Sequence, residues 1–160
     1  MNYLQIEPSK TQVIAENLDV ILASYQVYCK KTRAFHWNIQ GKDFFELHME
    51  FEELYKNITA KVDVIAERIL TLGYFPSSSF KDYLKTSVIK ETEPFISERE
   101  MIDELLSDMN HLLTMSKACI KIATENQDDG TVEILRSYIA YKEKVCWMFF
   151  TWLKTDLIRK

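Results

Sequence analysis

Residues 43–70 read DFFELHMEFEELYKNITAKVDVIAERIL. Within this stretch Leu47, Phe51, Leu54, Ile58, Val62, Ile65 and Ile69 recur at steps of three and four, the spacing that lines one face of an α-helix. Asp43 followed by Glu46 is a capping-box pattern at its start, and Gly73 before Pro76 stops it. So long an amphipathic helix buries its stripe only against other helices, and the remaining segments supply them.

Upstream, Ser9 with Gln12 repeats the capping-box pattern after Pro8. Val13, Ile14, Leu18, Ile21, Leu22, Tyr25 and Cys29 form a stripe reaching about Trp37, ended by Gln40-Gly41. Downstream, Ser77 to Ser79 and then Phe80 to Leu84 predict a loop carrying a short, serine-capped helix. Ser97 with Glu100, flanked by Ile96 and Met101 as a hydrophobic staple, opens a third long helix through Leu105, Met109, Leu112, Leu113 and Ile120. Asp128-Asp129-Gly130 is a polar turn, and a fourth long helix runs from about Thr131 through Leu135, Tyr138, Ile139, Val145, Phe149 and Leu153. The short, long, short order of connections matches the single-crossover topology of ferritin-like four-helix bundles, with a short extra helix in the crossover.

Composition agrees with an all-α fold. The 160 residues, read as one domain over 1–160, are 47% hydrophobic and 28% charged, with only three glycines and three prolines. A net charge of -4 gives no support for binding nucleic acid by overall charge. Cys29, Cys119 and Cys146 show no metal or disulfide spacing and are expected to be reduced, buried thiols. The N-terminus has no signal-peptide pattern, and Val145 to Leu153, the most apolar stretch, is too short to span a membrane. The expected location is cytoplasmic.

The chemistry-bearing residues cluster around the first turn and along the second helix. His36 lies before the turn and His48 after it, so a hairpin could bring them together, and Glu52 shares a helix face with His48. Asp63 and Glu67 form a second pair four apart, placed close to the apolar stripe, where an unpaired charge is costly. Lys61 and Arg68 are read as reaching only solvated neighbours, which leaves a metal as candidate cation. Imidazole nitrogens with carboxylate oxygens suit iron. His48 and Asp63 are fifteen residues apart, about 22 Å along a helix, beyond any single metal's reach, yet only about 60° apart around it. If two such helices pack antiparallel about a two-fold axis near Asn57 and Ile58, His48 and Glu52 of one chain meet Asp63 and Glu67 of another.

The run HWNIQGKDFFELHMEFEELY, residues 36–55, followed by DVIAER, residues 63–68, resembles the Dps family, the mini-ferritins also called DNA-binding proteins from starved cells. The resemblance implies a ferroxidase centre at a dimer interface, twelve subunits in a hollow shell, iron oxidised preferentially by hydrogen peroxide, and ferric mineral stored inside. His36 and His48 fall on the family's histidine ligands, and Asp63 and Glu67 on the carboxylates from the partner subunit. Position 52 departs from the pattern: Glu52 stands where many members have Asp, so direct ligation and contact through water are both open. Trp37 falls on the tryptophan beside the site, with radical quenching, pocket shaping or plain core packing as its role.

Other residues have bland readings. His111 reads as a surface or packing histidine. Asp128, Asp129 and Glu133 fit either an iron-entry pore or acids favouring a helix start. Glu46, Glu50 and Glu53 are most simply a solvated face. Lys10 is the one positive charge before the first helix, and Lys154, Arg159 and Lys160 follow the last, a weak basis for DNA binding. An architectural DNA-binding protein with little iron chemistry is the alternative function.

Overall fold

The computed structural model describes residue 4 and residues 6–158, and its described residues are helical throughout the regular structure. The helices are α1, Pro8–Asn38; α2, Phe44–Thr71; α3, Phe80–Thr86; α4, Glu98–Glu125; and α5, Asp129–Ile158. α1 packs on α2 and α4, α4 pairs with α5, and α3 lies against α1. This is the four-helix bundle with a crossover helix that the sequence predicts.

Local signals set most of these limits. At α4, Ser97 Oγ accepts from the Glu100 N–H while Glu100 Oε2 accepts from the Ser97 N–H at 2.8 Å, closing the capping box. Ser79 caps α3 in the same way, accepting from Asp82 N–H at 3.1 Å. α2 ends in a Schellman motif: Tyr74 N–H reaches Ile69 O, Gly73 N–H reaches Leu70 O, and Gly73 takes a φ of +96°. Two expected boxes do not form. α1 starts two residues early because Pro8, with φ already helical, takes the first position behind Glu7 as the N-cap, and Gln12 bonds Glu16 instead. Asp43 precedes α2, but its carboxylate is drawn away to the Trp152 indole N–H, 3.0 Å away. α5 begins at Asp129 rather than Thr131, because Asp128 Oδ1 already caps it, accepting from Thr131 N–H at 3.0 Å.

The apolar stripes meet in one continuous core. Ile14, Leu18, Ile21, Leu22, Phe35, Phe51, Ile58, Ile65, Leu105 and Leu112 are buried, and Phe51 packs edge-on to Phe149 at 6.2 Å. Val13, expected inside, is exposed. Cys29 and Cys119 are buried free thiols, with Cys146 half-buried. Among the described residues no helix is long and apolar enough to cross a membrane.

The interior also holds charge. Lys31 Nζ lies 2.7 Å from Asp108 and 3.2 Å from Glu104. Lys61, expected in solvent, is buried, its ammonium 3.6 Å from the Tyr141 ring centre and bonded to Asn57, because its stem continues the stripe. Lys142 is 3% exposed with its Nζ 4.4 Å from the Tyr25 ring centre. Burial pushes the Lys142 ammonium down to about 7 and Lys61 to about 8. An unfolded chain keeps both lysines protonated to about pH 10, so between about pH 7 and 8.5 the unfolded state binds more protons and stability rises with pH. Above that window the buried Cys119 thiol and Tyr138 phenol, each pushed up to about 12, act in the opposite sense. Urea unfolding at fixed protein concentration is expected to show a gain of about 1 kcal/mol per pH unit across the window, most of which Lys142→Met removes.

Candidate metal centre

His36 stands in the last turn of α1 and His48 in the second turn of α2, facing each other across the 39–43 connection. Their rings stack with centres 3.8 Å apart. Each Nδ1 lies 2.8 Å from the other residue's main-chain oxygen, His36 to His48 O and His48 to His36 O. A carbonyl only accepts, so both Nδ1 atoms carry hydrogen, and Nε2 is the ring atom left to offer a lone pair to a ligand. The carbonyl of His36, in the last turn of α1, would otherwise lack an intrahelical donor, so the end of the helix supplies one half of this clasp. Phe44 stacks on His48 at 5.1 Å and Tyr55 meets the His36 ring edge-on at 5.4 Å. Neither aromatic was singled out from the sequence, although Phe44 stands four residues before His48.

The turn itself is held from outside. Asp43 N–H donates to Glu98 Oε1 at 2.9 Å. Gly41, with φ of +145°, leaves room for that carboxylate, since a Cβ there would lie 2.2 Å from Glu98 Oε1. Glu52 lies near both imidazoles, which help hold its carboxyl below the usual range, though the hydrogen bond and charge of Lys56 are the larger causes. That i, i+4 ion pair is open to solvent. Trp37, one residue past His36, is 61% exposed with Lys30 Nζ 4.3 Å from its ring centre, which rules out core packing within the chain.

Asp63 and Glu67 lie on the exposed face of α2, not beside the buried stripe as expected. Arg68 is not solvated either: its guanidinium bonds the fully buried Asp128 carboxylate and Thr131 Oγ1, the latter at 3.1 Å. Gly130 gives it passage, since a Cβ there would come within 3.0 Å of the guanidinium. Asp128 is therefore consumed in joining α2 to α5 and cannot line a pore, whereas Asp129, Glu133 and His111 are exposed. Among the described residues no three His, Cys, Asp or Glu side chains of one chain gather closely enough to hold a metal ion. His36, His48 and Glu52 make one half-set, and Asp63 and Glu67 another farther along α2.

Residues 15–158 match the family model of the ferritin-like domain. A Dps protein from Vibrio cholerae O1, described as a member of a broad superfamily of ferritin-like diiron-carboxylate proteins, superposes with a TM-score of 0.92 at 41% identity, covering 96% of each chain. This chain belongs to the Dps family. Its relatives include a DNA protection during starvation protein of Porphyromonas gingivalis, 33% identical over 148 residues, covering 91% of this chain and 93% of that one. An uncharacterized Haemophilus influenzae protein is 42% identical over 136 residues, 85% of each chain.

Ferritin-like di-iron proteins build their centre inside the bundle from glutamates and Glu-x-x-His pairs on facing helices. This Dps chain has no such set there among its described residues. Asp108 is buried but paired with Lys31, and Lys61 and Lys142 bring further positive charge. Breaking the other buried pair is expected to be costly: Asp128→Ala should destabilise the fold by about 3 kcal/mol, read by urea unfolding, because the Arg68 charge loses its partner.

Proposed function

We propose that this Dps protein is a ferroxidase and iron-storing mini-ferritin whose catalytic centre forms between two copies of the chain. The observation that carries it is the imidazole clasp, in which both Nδ1–H groups are spent on carbonyls and two Nε2 lone pairs remain beside Glu52. His36 and His48 hold ferrous iron as substrate, Glu52 contributes a carboxylate directly or through water, and Asp63 and Glu67 of a second copy complete the set. The pairs 48 and 67, and 52 and 63, are both centred between Asn57 and Ile58, so one antiparallel two-fold pairing of α2 brings both into register. Exposed Phe45, Met49, Val64 and Leu70 supply apolar surface along the same helix.

Hard anionic oxygens favour Fe(III) over Fe(II) and so ease loss of an electron from the bound substrate. Hydrogen peroxide is the preferred oxidant: two ferrous ions give one electron each, two protons are taken up, and peroxide leaves as two waters. The dimers assemble further into a shell, a dodecamer, that keeps the ferric product as mineral inside the cytoplasm and limits oxidative damage. Protection of DNA, the property in the relatives' name, follows chemically from removing iron and peroxide together. The architectural alternative has only Lys154 at the described C-terminal end, lying over the Phe150 ring, while Arg159 and Lys160 fall outside the described residues.

Ferrous iron with peroxide is expected to give rapid ferric absorbance, and the His36→Ala, Asp63→Ala double variant is expected to lose that phase while keeping its assembled mass. Complementation tests the shared site. Chains carrying only His36→Ala and chains carrying only Asp63→Ala, each inactive alone, regain about a quarter of the wild-type sites when co-assembled at random, because each mixed dimer has one intact centre. No regain would place all ligands on one subunit.

A further inference from the structure

The turn between the two histidines is gripped by the far pair of helices. Glu98 is the first residue of α4, and Trp152 lies in the last two turns of α5. Both reach Asp43, the N-cap of α2: its N–H donates to Glu98 Oε1 at 2.9 Å, and its Oδ2 accepts from the Trp152 indole N–H at 3.0 Å. Its carbonyl accepts from Leu47 N–H at 3.0 Å, at the start of α2. Main-chain donor, main-chain acceptor and side chain of this one residue are all engaged. Arg99 also donates to Leu153 O at 3.4 Å, so the neighbours of Glu98 and Trp152 hold each other and the two contacts move as one block.

The core does not do this work. Ile39 is the one fully buried residue of the 39–43 turn, whereas Gln40, Gly41 and Lys42 are exposed and Gly41 takes a φ of +145°. The bundle is joined elsewhere, by Arg68 with Asp128 between α2 and α5 and by Phe51 against Phe149. What the grip on Asp43 adds is local. Phe44, next in chain, stacks on the His48 ring at 5.1 Å, and the clasp itself is two 2.8 Å bonds across the same turn. A displaced Asp43 therefore carries His48 away from His36 and changes the spacing of the two Nε2 atoms. Removing the groups behind metal ligands costs about 10- to 100-fold in metal affinity.

We propose that Glu98 and Trp152 are positioning residues for iron binding, which act through Asp43 to set the separation of His36 and His48. This rests on the reading of those histidines as an iron half-site. Neither Glu98 nor Trp152 is a ligand. The grip needs an acceptor at position 98 and an indole N–H at position 152, so Glu98→Gln keeps its hydrogen bond, while Glu98→Ala and Trp152→Phe each lose one.

The test titrates the assembled, iron-free protein with Co(II), a ferrous analogue whose visible absorption bands report ligand geometry. Wild type, Glu98→Gln and Lys117→Met are expected to share one spectrum and one dissociation constant; Lys117→Met is a control that removes an ion pair joining α4 and α5 away from the turn. Glu98→Ala and Trp152→Phe are expected to bind about tenfold more weakly with shifted bands. In both, without metal, hydrogen exchange is expected to quicken across residues 39–48 and not in the rest of the bundle. Wild-type affinity and bands in either variant overturn the proposal. So does Glu98→Gln binding as weakly as Glu98→Ala, since charge and not the hydrogen bond is then the cause. Exchange that quickens throughout the bundle overturns it as well, because the two side chains are then merely structural. Those outcomes leave the iron reading standing. Wild-type protein without Co(II) bands, or bands that survive His36→Ala, overturns that reading and this proposal with it.

Discussion

A lysine buried in a helix bundle occupies the carboxylate or ring face beside it, and this bundle encloses three such lysines. Lys31 is neutralised by Asp108 and Glu104, while Lys61 and Lys142 rest on tyrosine rings and are pulled toward neutrality by burial. A centre of the interior di-iron kind has no place among them. The imidazole and carboxylate donors instead lie at the surface end of the α1–α2 hairpin and on the outer face of α2. The helices are the ferritin-like ones, but the buried carboxylates among the described residues, Asp108 and Asp128, are already paired with Lys31 and Arg68.

α2 carries that consequence because it is long and bears a candidate half-set toward each end. Its inward stripe of Leu47, Phe51, Leu54, Ile58, Ile65 and Ile69 fixes its rotation, so the opposite side presents Asp63 and Glu67 to solvent. Between the two half-sets, Lys56 supplies positive charge to Glu52 within the chain. Arg68 locks the far end of α2 to the start of α5 through Asp128 and Thr131, which limits how freely the adjoining carboxylates can shift.

Much of the fold was legible because its signals are local. The Ser97 and Glu100 box, the Gly73 stop and the three- and four-step stripes need only neighbours within a turn or two, and they stand as read apart from Val13 and Trp37 on α1, both exposed. The Ser9 box failed to a local rule of higher weight, proline at the first helical position. The Asp43 box failed to partners far along the chain, Trp152 and Glu98, which spacing does not reveal. The same holds for Lys61 and Arg68, whose solvated reading ignored tyrosine rings and an aspartate some sixty or more residues away. Of the candidate site, the facing histidines were legible from their positions on either side of a turn. The direction of their Nδ1–H groups was not, because it depends on main-chain oxygens.

The indole of Trp152 donates to Asp43 from 109 positions later in the chain, 3.0 Å away. A ribosome emits residues in order, so the hairpin bearing His36 and His48 emerges long before the last turns of α5 exist. Until those turns arrive, one of the ties on the 39–43 connection is missing. The hairpin can therefore fold early but reaches its full set of restraints only after α5 has emerged. Geometry at an early-made turn thus reports on whether a helix made much later has arrived.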